Sequence, residues 1–128
     1  MPLIRIDTRR ERSADEVQAI IAAVERAQRI ALKLPDGDRQ IRYVTHRPEH
    51  FAVPADRSED FTVIEVTLFS GRSLDAKRQL YALLVEELGA LGIARNDVFV
   101  VLNEQPQENW GLGGKAACDL ALGFKVDV

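Results

Sequence analysis

The sequence is poor in reactive soft ligands: it holds one cysteine, two histidines and a single tryptophan. Cys118 cannot close a disulfide within the chain, and with only His46 and His50 to join it no zinc cluster can be assembled. The two histidines stand four apart, but Pro48 between them forbids the regular helix that would align them as ligands. No metal and no cofactor is expected. Long hydrophobic runs are missing as well, so no segment reads as a membrane span and no membrane partner is expected. Met1 to Asp7 lacks the basic and apolar regions of a secretory leader, which makes the cytoplasm the expected compartment. An excess of positive charge is also lacking. Seventeen Lys and Arg face twenty Asp and Glu, a net charge of -3, which excludes the broad basic face that a nucleic acid requires. The local clusters Arg9-Arg10-Glu11-Arg12 and Lys77-Arg78 read as solvated helix flanks.

What is present is a regular alternation of strands and helices. At 128 residues the chain suits a single domain spanning 1–128, and 46% hydrophobic against 29% charged residues is a globular balance. A short strand begins at Leu3. Ser13-Ala14-Asp15-Glu16 has the form of a capping box opening a helix that runs to about Leu34, where Pro35 and Gly37 stop it. Its apolar stripe is Val17, Ile20, Ile21, Val24, Ala27, Ile30 and Ala31. Gln40 to Thr45 reads as a strand, and Phe51 and Val53 suggest a brief one inside the polar connection that follows. Phe61 to Ser70 is the strongest strand in the chain, rich in β-branched and aromatic residues. A second helix runs from Leu74 to about Leu91, with a further strand from Asp97 to Asn103 and a last one from Phe124 to Val126.

The two halves, 2–60 and 61–128, match as a pseudo-repeat. Arg12-Ser13-Ala14-Asp15 recurs as Arg72-Ser73-Leu74-Asp75 sixty residues later, each between a strand and an amphipathic helix. Two β-α-β units predict an α/β fold: a four-stranded mixed sheet with both helices on one face. Ile4, Ile6, Val63, Val66 and Val100 are expected to divide between the two faces, leaving the uncovered one apolar and suited to subunit association.

Few residues can carry chemistry. Pro2, once the methionine is removed, would offer a secondary amine held rigidly at the start of a strand, a plausible base or acid near neutrality. Arg72 follows the carboxyl end of the strongest strand, where open α/β sheets place their sites and an arginine can clamp a carboxylate. Asp38, with Asp36 as its competitor, lies in the turn before the second strand and can orient water or tune the amine. Each also has a plain structural reading, as a second residue, an arginine beside a cap and a turn aspartate. Trp110 sits among polar residues and glycines, a setting that often walls a pocket. Those glycines match no nucleotide-binding pattern.

Pro2, the Gly71-Arg72-Ser73 turn through Lys77, and Val98 to Trp110 with Asn103-Glu104 together resemble the tautomerase superfamily, over nearly the whole chain. Within it, Pro35 to Arg39, Arg72 and Asn109-Trp110 look most like malonate semialdehyde decarboxylase and its relatives. The resemblance implies a homotrimer with pockets centred on the amino-terminal proline, Pro2, Arg72 and Asp38 as catalytic residues, and a small carboxylate substrate. It also implies substrate-binding roles for Trp110, Tyr43, Asn109 and Leu112. One departure stands out: the decarboxylase uses two arginines around this turn, and here Phe69, Ser70 and Gly71 precede Arg72 alone. Arg42 or Arg47 would have to supply the second from elsewhere. The expected activity is therefore enol-keto tautomerisation of a small 2-oxo acid, with decarboxylation of a 3-oxo acid and an inactive trimeric binding protein as the alternatives.

Overall fold

The computed structural model describes residues 2–123 and 125–128. Strand β1 spans Leu3–Thr8, helix α1 Ala14–Leu32, β2 Gln40–Thr45, β3 Thr62–Phe69, α2 Leu74–Gly89 and β4 Val98–Gln105. The sheet order is β2-β1-β3-β4. The pairs β1–β2 and β3–β4 are parallel and β1–β3 is antiparallel, so the sheet is mixed and the two β-α-β units run head to tail. A small antiparallel pair, β5 (Gly111–Leu112) with β6 (Lys115–Ala116), follows.

Both helices begin as their sequences dictate. The Ser13 hydroxyl accepts the Glu16 N–H while the Glu16 carboxylate accepts the Ser13 N–H, so two orphan donors of α1 are satisfied locally. Ser73 caps α2 in the same way by accepting the Ala76 N–H, but Ala76 has no carboxylate to return. Helix α1 stops at Leu32, two residues before the expected point, because Lys33 enters the left-handed region at φ 51 and closes the helix.

The core lies between the helices and one sheet face. Alternation and register act together: Ile4 pairs with Val66, Ile6 with Ile64, and Ile64 with Val100, and paired residues share a face. Helix α1 packs Ile20, Ala23, Val24, Ala27 and Ala31 on that layer, and α2 packs Leu80, Leu84 and Leu88. Leu84 is 1% exposed, and truncating such a leucine to alanine costs about 2–5 kcal/mol. One expectation needs correction. Ile30 is 46% exposed, because Leu32 and Ala23 fill the stripe instead. The five residues expected to divide between faces do so, but unevenly, and Val63 alone of them falls on the uncovered face.

The uncovered face is accordingly mixed. Arg5 lies between Arg42 and Glu65, while Phe99 pairs with Val63 and, like Val101, is exposed. No strand forms at Phe51 and Val53, since the connection makes a single 3-10 turn at Pro48–His50 and then runs irregularly. The expected last strand falls partly on Phe124, which lies outside the described residues, and Lys125 and Val126 are not in a strand.

Candidate active site

Strand direction decides which residues meet. Because β1 is parallel to β2 and antiparallel to β3, the starts of β1 and β2 lie at the same sheet end as the finishes of β3 and β4. Leu3 pairs with Gln40 on one side and Thr67 on the other. Pro2, one residue earlier and buried, therefore sits beside the turn that carries Asp38 and beside the last residues of β3. Beyond Phe69, the chain turns through Ser70 and Gly71 to Arg72 and the cap of α2. The backbone ladder continues into this turn, with the Ser70 N–H donating to the Gln105 carbonyl at 2.9 Å.

Arg72 is 6% exposed, so it is not a surface arginine. Its Nη1 donates to the carbonyl of Leu32 at 2.7 Å and to that of Lys125 at 3.3 Å. The first of these satisfies an orphan carbonyl at the negative end of α1. Burial pushes the guanidinium pKa down from its ordinary value, and the nearby Asp38 carboxylate opposes that shift. The structure thus brings Arg72 and Asp38 within electrostatic reach. Asp36, the competitor, has a side chain 96% exposed and faces Arg29 at 3.8 Å. Asp38 itself is half-buried, and its carbonyl accepts the Gln28 side-chain amide at 3.2 Å, tying the turn to α1.

Trp110 follows the 3-10 turn Gln107–Asn109 after β4 and meets Phe69 edge to face, ring centres 4.9 Å apart. Its indole Nε1 is enclosed without an acceptor among the described residues. Asn109 is exposed and donates to the Gln105 side chain at 2.8 Å, and Leu112 is half-buried in β5. Tyr43 is not part of this group. It pairs in register with Ile6, and its hydroxyl lies 3.0 Å from Arg12 Nη1 and 3.2 Å from the Thr8 hydroxyl, near the other sheet end. Neither candidate for a second arginine joins Arg72: Arg42 lies on the uncovered face and Arg47 just past the finish of β2.

The residues that sequence reasoning missed belong to the tail. The Ser73 N–H donates to the backbone oxygen of Val128 at 2.7 Å, and Lys125 supplies one of the carbonyls on Arg72. Gly71 has φ +124, and a Cβ placed there would stand 3.3 Å from Val126 Cγ1. Beside this packed turn, Ser70, Gly71, Gln107, Leu122 and Val126 line a cleft of about 410 Å³. Nothing in the tail's letters announces this contact, since it depends on main-chain atoms.

Residues 38–113 match the model of a tautomerase enzyme family. The chain belongs to that family. The probable tautomerase YusQ of Bacillus subtilis (strain 168) is 24% identical over 123 residues, covering 91% of this chain and 97% of the relative. Among solved structures, FG41 malonate semialdehyde decarboxylase inhibited by 3-bromopropiolate is 31% identical with a TM-score of 0.83, covering 94% of this tautomerase and 98% of that chain. A fused 4-OT, described as an asymmetric trimer, is 22% identical with a TM-score of 0.82, covering 91% and 97%, a likeness of fold alone. Among the described residues of this tautomerase, no helix is long and apolar enough to cross a membrane.

Proposed function

We propose that this tautomerase is a cofactor-independent proton-transfer enzyme acting on the enol of a small 2-oxo acid. The observation that carries the reading is the strand register that gathers Pro2, Asp38 and Arg72 at one sheet end. After removal of Met1, the Pro2 amine takes the proton of the enol hydroxyl and a proton is returned to the neighbouring carbon, which yields the ketone. Arg72, anchored by the Leu32 and Lys125 carbonyls, supplies positive charge for the substrate carboxylate. Asp38 adjusts the electrostatics of both groups, and Trp110 on Phe69 gives the pocket a rigid wall, with Asn109 and Leu112 nearby. Tyr43 would contribute only across a subunit boundary. Association into a homotrimer through the uncovered sheet face accords with the exposed Phe99 and Val101.

A second reading, decarboxylation of a 3-oxo acid, is favoured by the likeness to malonate semialdehyde decarboxylase. It is weakened by the single arginine at the turn. A pH–rate profile separates the two: a neutral amine gives activity rising with pH, and an ammonium gives activity falling. The decisive assay measures both substrate classes with wild type, Pro2→Ala and Arg72→Ala. An intact-mass measurement must first verify loss of Met1, because an acylated proline nitrogen has no useful basicity. Full turnover by processed Pro2→Ala would refute both catalytic readings. A processed wild type inert toward both substrate classes would leave a binding protein.

A further inference from the structure

Because β1 and β3 are antiparallel, the sheet has a second end built like the first. There the finishes of β1 and β2 meet the starts of β3 and β4, and Arg12 precedes the cap of α1 as Arg72 precedes that of α2. A cleft of about 620 Å³ opens at this end, where Arg9, Arg10, Arg12 and Arg47 line the wall against Glu11 and Glu59. The run containing Arg9 to Arg12 is therefore more than a solvated flank.

The four guanidiniums are not equally committed. Arg12 is spent within the fold: its side chain is 6% exposed, Nη1 holds the Tyr43 hydroxyl at 3.0 Å and Nη2 holds Asp60 at 3.1 Å. Arg10 leans on the same Asp60 oxygen, so one carboxylate serves two cations, and the Arg10 side chain is still 51% exposed. Arg9 meets Glu59 at 3.4 Å, while its Nε is enclosed without an acceptor among the described residues. Arg47 is 76% exposed, and its only ion-pair partner among the described residues is Glu49 at 3.8 Å, an exposed pairing of little strength. Helix α1 adds little, since its capping box already occupies the Ser13 and Glu16 N–H groups. Counting Glu11, Glu49, Glu59 and Asp60, carboxylates equal the four arginines in number. But Arg10 shares Asp60 with Arg12 and the Arg47–Glu49 pairing is long and exposed, so Arg10 and Arg47 keep planar forks with donors turned to solvent and suited to oxyanions.

We propose that this cleft binds a small polyanion, bearing carboxylate or phosphate groups, without transforming it. Where the first end presents the start of β1, this end presents the start of β3 in mid-chain, so the nitrogen of Thr62 is an amide and cannot act as a base. Arg10 and Arg47 make the principal contacts and Arg9 closes the inner side. The proposal is independent of the catalytic reading, because binding here and turnover at the Pro2 end are separate readouts.

Calorimetric titration of the full-length protein at low ionic strength, with citrate and with inorganic pyrophosphate, tests it. The wild type and Pro2→Ala should bind at least one probe with equal affinity, at one equivalent per subunit, and binding should weaken as salt is raised. The variant Arg10→Glu/Arg47→Glu alters exposed side chains and should keep its circular dichroism spectrum while losing about tenfold or more in affinity. Preference for one probe assigns carboxylate or phosphate as the recognised group. The proposal is overturned if neither probe binds wild type, if the double variant binds unchanged, or if Pro2→Ala abolishes binding.

Discussion

Arg12 and Arg72 occupy the same place in two halves of one chain, yet they are employed differently. Arg12 joins a tyrosine hydroxyl on β2 to a carboxylate before β3, so it fastens one side of the sheet to the next half. Arg72 joins the last turn of α1 to the tail through main-chain carbonyls, with Asp38 close enough to influence its charge. A duplicated motif therefore fixes where an arginine emerges, whereas the local acceptors decide what its charge is left to do. In the first half the acceptors include a side-chain carboxylate that directly balances it. In the second, two neutral carbonyls hold the guanidinium in place and the Asp38 carboxylate bears on its charge.

The largest expected effect tests whether chemistry is confined to one end. Processed Pro2→Ala should lose about 10²–10⁴-fold in turnover with little change in melting temperature, while Arg10→Glu should retain turnover. Activity surviving the first change would erase the distinction between the ends. Next, Arg12→Ala and Arg72→Ala should each lower stability by about 2–3 kcal/mol in urea unfolding, since each removes hydrogen bonds to an enclosed guanidinium. Only Arg72→Ala should also depress turnover per folded molecule. A smaller contrast compares positions 71 and 11, one residue before each arginine. Gly71→Ala forces a side chain into φ +124 and toward Val126, at a cost of about 1–2 kcal/mol, whereas Glu11→Ala should be close to neutral.

The subtlest contrast is one of pH. Hydrogen bonds from the Ser13 backbone and side chain hold the Glu16 pKa below its ordinary 4.5, and α2 has Ala76 at the matching place. A carboxylate depressed in the fold contributes stability above its unfolded pKa, and that contribution disappears as pH falls through the folded value. Comparing urea midpoints at neutral pH with those on the acid side of 4.5 should show a smaller acid-induced loss in Glu16→Gln than in wild type. An unchanged loss would mean that the box has no part in acid sensitivity.

Much of the fold was legible because its signals are local. Ser13, Ser73, the leucines of α2 and the β-branched run of β3 each announce an element through side-chain chemistry or spacing. Sidedness was less legible, because pointing Ile4 and Val66 the same way requires the antiparallel register. Of the site, the grouping of Pro2, Asp38 and Arg72 was suggested by the family resemblance and not by the strand signals, since bringing the start of β1 to the finish of β3 also requires the antiparallel register. The departure of Tyr43 toward Arg12 could not be anticipated, since it follows from which end of β2 a mid-strand residue leans toward. The tail over Gly71 was hidden for a different reason: hydrogen bonds to the backbone oxygens of Lys125 and Val128 do not depend on which side chains stand there.

Strand β1 is flanked on both sides, by β2 and β3, whereas among the described residues β2 and β4 each have a strand on one side only. Opening fluctuations that begin at a sheet margin reach β1 last, so its amides should exchange with solvent more slowly than those of β2 or β4. Pro2 thus rides on an inner strand of the sheet, and its position should survive partial fraying that already loosens the margins.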